Sequence, residues 1–274
     1  RLSAAADARH TIVIENGWSG SFPYAHWLEH ALVPQARVLV YDRAGIGGSI
    51  ATAPTSCADI TAQLRELLKA LAIESPVVVV GHSYGGLIGA LHGVQAPGLV
   101  QAIVQIDSTS ELDDPVIDGP LRIVPAFARL LQLRALLGVV GPLEKQAKGD
   151  LPAEVISQLR RPRREAARSL GCAINEMHLL PEIRRIIAAG GHARHCRRLV
   201  ISAGVVRRAE RGLVRHLVSD ARIVRHLQAF QALHQRQSEF NAGSRWIALP
   251  YDHLGLMTKR NAASDVAKAI FDFL

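Results

Sequence analysis

Four consecutive valines, Val77–Val80, run straight into Gly81-His82-Ser83-Tyr84-Gly85-Gly86, and this junction constrains the fold more than any other stretch. A dense β-branched run is the pattern of a strand buried on both faces, which occurs in parallel sheets covered by helices on either side. The next residues, Leu87–Gln95, read as a helix. The chain therefore turns from strand to helix within a few residues. Bulk two positions either side of Ser83 would collide with the neighbouring strand and helix, and Gly81 and Gly85 remove it. Ser83 then sits at the apex of a turn sharp enough to strain its backbone. The helix that follows points free backbone N–H groups at the same spot, where they can hold a developing oxyanion. Gly86 and Gly89 let that helix approach the sheet closely. A bare G-x-S-x-G arises often by chance, and its plain reading is a Gly-rich turn with a solvent-facing Ser. The strand before and the helix after favour a catalytic one.

The rest of the first half alternates in the same way. Thr11–Glu15 is a β-rich run ended by Asn16-Gly17, and Arg37–Tyr41 is a second strand ended by Asp42-Arg43-Ala44-Gly45. Asp59–Leu71 carries Ile60, Leu64, Leu67, Leu68 and Leu71 at the period of an amphipathic helix. Val100–Ile106 is another buried strand. Strand and helix in alternation, with short turns, predict a mostly parallel central sheet with helices on both faces. From Glu111 to Arg198 the pattern is helical only, over Val124–Val140, Pro152–Leu170 and Met177–Ala189. Strands return at Leu199–Ala203 and Arg245–Leu249, and a helix over Ala262–Leu274 closes the chain. The expected organisation is an α/β core from 1–110 and 199–274, with a helical cap at 111–198 inserted between two strands.

Of 274 residues, 49% are hydrophobic and 20% charged, which excludes a disordered chain. The net charge is +8, and 27 of the 32 basic residues are Arg. The excess lies in residues 120–236, which hold 22 basic and 8 acidic residues. Such a block raises nucleic acid, an anionic surface or an acidic partner as candidates. Aromatic residues make up only 5%, so stacking platforms are scarce and no nucleic-acid partner is expected. Cys57, Cys172 and Cys196 show neither C-x-x-C nor zinc spacing, and an odd count is a poor disulfide framework. No metal site and no cofactor are expected. The apolar runs fall far short of the roughly 18 residues of a membrane span. Arg1–Thr11 has no apolar core of a signal peptide, so a cytoplasmic location is expected, with the initiator Met trimmed.

Taken together these motifs resemble the α/β-hydrolase superfamily over nearly the whole chain. Besides the Gly81–Gly85 turn, Ile14-Glu15-Asn16-Gly17-Trp18 resembles the turn after the family's third strand. Tyr41-Asp42-Arg43-Ala44-Gly45-Ile46-Gly47-Gly48-Ser49 resembles its Y-D-R-x-G-x-G-x-S stretch after the fourth. Pro250-Tyr251-Asp252-His253 follows the last strand, where the family places its catalytic His. Too few residues precede Thr11–Glu15 for the family's usual first two strands, so that hairpin is expected to be missing or truncated.

The resemblance implies a serine hydrolase with Ser83 as nucleophile and His253 as base. The backbone N–H groups of Tyr84 and Trp18 would form the oxyanion hole; Trp18 reads equally as a core or lid-facing aromatic. His82 is expected to point away from Ser83, and His216, His226 and His234 read as solvated or packed. The acid is open between two residues. The family's usual position follows Leu199–Ala203, but there the chain reads Gly204-Val205-Val206-Arg207-Arg208, with Glu210 later. Asp107 ends the preceding strand, and some members of the fold take their acid there; its plain reading is a turn cap through Ser108 and Thr109. Asp107 is the preferred acid, Glu210 the alternative, and Asp252 is expected to point away.

Cleavage of a carboxylic ester or lactone through an acyl-enzyme is the expected activity. The alternatives are a peptidase, a thioesterase or a C–C hydrolase on the same residues, or a non-catalytic binding protein using the basic 120–236 surface. Ile123, Val124, Phe127, Leu130, Leu131, Leu133, Leu136 and Leu137 form an apolar stripe. Laid over the site it would favour an apolar, ester-like small molecule, and ordinary packing is the other reading. Arg160, Arg161, Arg163, Arg164 and Arg168, with Glu165, are expected on a solvated helix face.

Overall fold

The structure, a computed structural model, describes residues 1–4, 8–115, 118, 124–137, 150–206 and 220–274. In chain order the elements are β1 (Leu2–Ser3), β2 (His10–Glu15), α1 (His26–Leu32), β3 (Ala36–Val40), α2 (Cys57–Ala70), β4 (Val77–His82), α3 (Tyr84–Gln95) and β5 (Val100–Ile106). Then come α4 (Val124–Leu136), α5 (Ala153–Leu159), α6 (Arg163–His178) and α7 (Leu180–Ala189). The chain ends with β6 (Arg197–Ala203), α8 (Asp220–Ser238), β7 (Arg245–Leu249), α9 (Gly255–Thr258) and α10 (Arg260–Phe273).

The strands form one seven-stranded sheet in the order β1-β3-β2-β4-β5-β6-β7. Every pairing is parallel except β1 with β3, where Leu2 and Ser3 lie antiparallel to Leu39 and Val38. β1, two residues long, lies at one edge of the sheet. The valine run sits at the sheet's centre, with Val79 beside Val13 on one side and Ile103 on the other. Val78 and Val80 face a core shared with Leu28 and Leu32 of α1 and Val266 and Ile270 of α10. Val77 and Val79 face the other core, with Leu64 and Leu68 of α2. A strand of period two is thus buried on both sides, each valine contributing roughly 1.5–3 kcal/mol of apolar burial. α2 starts where Ser56 accepts from the Asp59 N–H at 3.2 Å and Asp59 accepts from the Ser56 N–H at 2.9 Å, a reciprocal cap.

Between β5 and β6 the described elements are helices alone. Three details differ from the sequence reading. The stretch Pro152–Leu170 is two helices, broken at Arg160 and Pro162, whose backbones are extended at ψ 111° and 146°. Pro162 disfavours helical geometry at Arg161 and has no N–H to bond back into α5, so the break follows from Pro162 itself. Of the apolar stripe, Leu131 is buried, while Leu130, Leu133, Leu136 and Leu137 are half or more exposed; Ile123 lies outside the described residues. Finally, the basic block is not all surface. Arg160, Arg163 and Arg164 are exposed, Arg161 faces Asp42 at 3.6 Å and Arg168 donates to the Gly47 carbonyl. Arg184 and Arg198 are buried, on Asp113 with Asp118 and on Glu111. No described helix is long and apolar enough to cross a membrane.

Candidate active site

The C-terminal edge of the parallel sheet gathers the loops after β2, β4, β5 and β7. Ser83, between β4 and α3, has φ 54° and ψ −123°, a strained backbone for a residue with a side chain. The neighbouring glycines are what permit it. A Cβ on Gly81 would overlap the Gly85 backbone, and one on Gly85 would overlap the Glu15 carbonyl. The apex is pinned to β5 on both sides: Ser83 N–H donates to the Ile106 carbonyl at 2.9 Å, and Thr109 N–H to the Ser83 carbonyl at 3.0 Å. Tyr84 opens α3, so its N–H has no partner within the helix. Gly17 lies against this apex, since a Cβ there would stand 3.2 Å from the Ser83 Cβ.

Asp107 sits just past β5 at φ 43°, in the left-handed region, and is buried. Its carboxylate does not cap Ser108 and Thr109. One oxygen accepts from the Ala203 N–H at 2.8 Å, and the other is 2.6 Å from His253 Nδ1. Burial works to raise this carboxyl. The bond and charge of His253, the charge of His234 and the Ala203 N–H outweigh it and hold the group down at about 2. The proton between Asp107 and His253 is assigned to Nδ1, because the carboxylate is ionised at neutral pH; Nε2 is then the unprotonated ring nitrogen. Asp252 turns the other way, to the Gly255 N–H and Lys259.

His82 lies under His253. Their ring centroids are 4.5 Å apart, and His82 Nε2 donates to the His253 carbonyl at 2.9 Å. Burial first, then the nearby His253, push His82 down to about 3, so it is neutral and serves as a fixed donor to the His253 backbone. His234 is buried beside Asp107. Trp246 Nε1–H donates to Ser202 Oγ, Ser202 bonds His234 Nδ1 at 2.8 Å, and His234 Nε2 donates to the Ser108 carbonyl at 2.8 Å. Its Nδ1 is 4.0 Å from Asp107. No period or motif singles His234 out, because its relation to Asp107 spans 127 positions of chain.

Trp18 half-buries its ring among inserted helices, and its indole N–H donates to the Ala173 carbonyl at 2.7 Å. Arg43, from the turn after β3, is buried and reaches the same loop through the Asn16 and Gly17 carbonyls. Its other edge forms a fork on Glu176 of α6 at 2.7 and 2.9 Å. Glu210, with Arg207 and Arg208, lies outside the described residues. Among the described residues no three His, Cys, Asp or Glu side chains form a group fit for a metal ion.

The model of the alpha/beta hydrolase fold matches residues 10–140, the region that builds β2 through β5 and the Ser83 turn. With the sheet order and the loop geometry, this decides the fold. The chain has the α/β-hydrolase fold. It is 36% identical over 104 residues to a putative carbamate hydrolase, RutD, of Stutzerimonas stutzeri. That alignment covers 36% of this chain and 38% of the relative, so the match spans about two fifths of the relative's length. Among solved structures it is similar to the enol-lactonase of Burkholderia xenovorans, at TM-score 0.64 and 17% identity over all of this chain and 94% of that one. A carboxylesterase of Nitrososphaera gargenis aligns at TM-score 0.67 and 17% identity, over 99% and 93%.

Proposed function

We propose that this chain is a serine hydrolase that cleaves a carboxylic ester or lactone through Ser83, His253 and Asp107. The observation that carries the proposal is the 2.6 Å bond from His253 to Asp107 at the sheet edge where Ser83 stands at φ 54°. Asp107 accepts from Nδ1–H and fixes the ring tautomer, leaving Nε2 as the general base. Nε2 takes the Ser83 proton as Oγ attacks the acyl carbon. The carbonyl electron pair moves to oxygen, and the N–H groups of Tyr84 and Trp18 receive the oxyanion. Collapse expels the alcohol oxygen, which takes the proton from His253, and leaves an acyl-Ser83. Water then repeats the attack with His253 as base, releasing the acid and free Ser83. In a lactone the leaving oxygen stays tethered to the acyl group, and the steps are otherwise the same. The inserted helices, 111–198, act as a cap over this edge.

An ester or lactone substrate is the reading that the enol-lactonase and carboxylesterase neighbours support; a carbamate is the variant that the RutD relatives suggest. All share the same tetrahedral step. A fluorophosphonate probe should label wild type at Ser83 and leave Ser83→Ala unlabelled. A folded wild type that resists labelling overturns the proposal. A panel of esters, lactones, carbamates and thioesters, run on wild type and Ser83→Ala, then ranks the acyl classes.

A further inference from the structure

Both proposed oxyanion donors are gripped from above by a single helical turn. Trp18 donates its indole N–H to the Ala173 carbonyl at 2.7 Å, and Tyr84 donates its hydroxyl to the Glu176 carbonyl at 2.6 Å. Ala173 and Glu176 are three residues apart on α6, hence on one face. The Glu176 carboxylate, buried in the same place, holds the Arg43 guanidinium by two bonds. Arg43 in turn donates to the carbonyls of Asn16 and Gly17 and lies over the Tyr84 ring, 6.0 Å from its centroid.

The Gly17 carbonyl matters most, because it belongs to the peptide whose nitrogen is Trp18's. A trans peptide points its C=O and N–H in opposite directions. Arg43 and the Gly20 N–H hold that carbonyl, so the Trp18 N–H is turned to the other side of the loop. Gly17 meets Ser83 across that loop. Burial works against the Arg43 charge, but Glu176 and Glu15 more than offset it and raise the group above its ordinary value. Arg43 is therefore a permanent cation in a planar fork, a shape that lysine cannot reproduce.

We propose that Arg43 is a positioning residue and that the Ala173–Glu176 turn of α6 templates the oxyanion hole, which is complete only while α6 is seated. This rests on the serine-hydrolase reading and deepens it: the inserted helices set the rate of the chemical step as well as access to it. A misplaced donor weakens the transition state more than the bound substrate, so the loss should appear in kcat.

The experiment compares Glu176→Gln and Arg43→Lys with wild type in ester hydrolysis. It adds inhibition by a trifluoromethyl ketone, whose carbonyl takes the Ser83 oxygen and becomes an oxyanion in the hole. The expected result is a kcat lower by about 10- to 100-fold, KM within about threefold, and ketone affinity reduced in proportion to kcat/KM. If either variant fails to fold by circular dichroism, Trp18→Phe with Tyr84→Phe carries the test. That pair removes the two side-chain bonds to α6, with a smaller ring at position 18, and should lower kcat about tenfold. Folded variants with kcat unchanged, or with the whole loss in KM, overturn the inference. So does a loss of thermal stability with kinetics intact, which would make the cluster structural only. Failure of the underlying reading is distinguishable, because wild type itself would then resist fluorophosphonate and turn over no ester.

Discussion

Asp107 and Glu111 are both carboxylates just beyond β5, four residues apart, and both are buried and held ionised. Their partners differ. Glu111 bonds Arg198, which is fully buried, along with Gln105 at 3.0 Å and His192 at 3.1 Å. Burial raises Glu111 and the Arg198 charge lowers it, with the net result below the ordinary carboxylate range. Asp107 instead bonds His253, whose side chain is 35% exposed. An arginine never gives up its proton, so the Glu111 pair is locked. A partly exposed imidazole can gain and lose one at Nε2, so the Asp107 pair can work. Burial and a depressed carboxyl are common to both. What separates the two is the charge partner: a permanent cation on Glu111, and on Asp107 an imidazole at the sheet edge where Ser83 stands.

The largest test of that contrast is turnover. Asp107→Asn should lower kcat by roughly 10³- to 10⁴-fold through the wrong His253 tautomer, whereas Glu111→Gln, assayed as folded protein, should stay near wild type. Equal losses in steady-state ester hydrolysis would erase the distinction. Next comes stability in urea. Glu111→Gln strands the Arg198 charge and should cost about 3–5 kcal/mol. Asp107→Asn leaves no buried arginine unpaired and should cost less; the reverse order would mean that Asp107 is the structural member.

Acid sharpens the comparison further. The folded Asp107 carboxyl lies at about 2, below the ordinary 3.8, so its contribution to stability is full above about pH 4. It disappears as pH falls through about 2. The gap in unfolding free energy between wild type and Asp107→Asn should shrink by about 2 kcal/mol across that window. A gap that stays constant in titrated urea melts would show that the carboxylate is not held by His253. The smallest effect concerns His234, which supports the Ser108 carbonyl beside the acid. His234→Gln should cost about 1 kcal/mol and lower kcat severalfold while leaving KM unchanged. A loss confined to stability would make His234 a packing residue.

Much of this edge was legible because its residues announce themselves locally. The valine run and the glycines around Ser83 each carry their own steric reason, and His253 directly follows a strand. Asp107 stood out only by exclusion, since Arg207 and Arg208 stand where the resemblance places an acid. The roles of Arg43, Glu176 and His234 were not legible. Arg43 and Glu176 meet across 133 positions, and nothing in an amphipathic helix marks which of its polar residues turns inward. Its period says only that one face is apolar. The α4 leucines show the same limit, as periodicity identifies a face and leaves open what covers it. Pro162 did carry a local signal for the break between α5 and α6, which the longer apolar period masked.

The ion pair between Arg43 and Glu176 also bears on how such proteins can be recombined. A chimera that took residues 111–198 from a relative lacking an acid at position 176 would leave a buried guanidinium facing Glu15 alone, at 3.5 Å. Breaking a buried pair in this way costs about 3–5 kcal/mol. The inserted helices are therefore poor candidates for free exchange. Their heritable unit includes Arg43 and the loop 15–18, more than 120 residues upstream of the helix they fit.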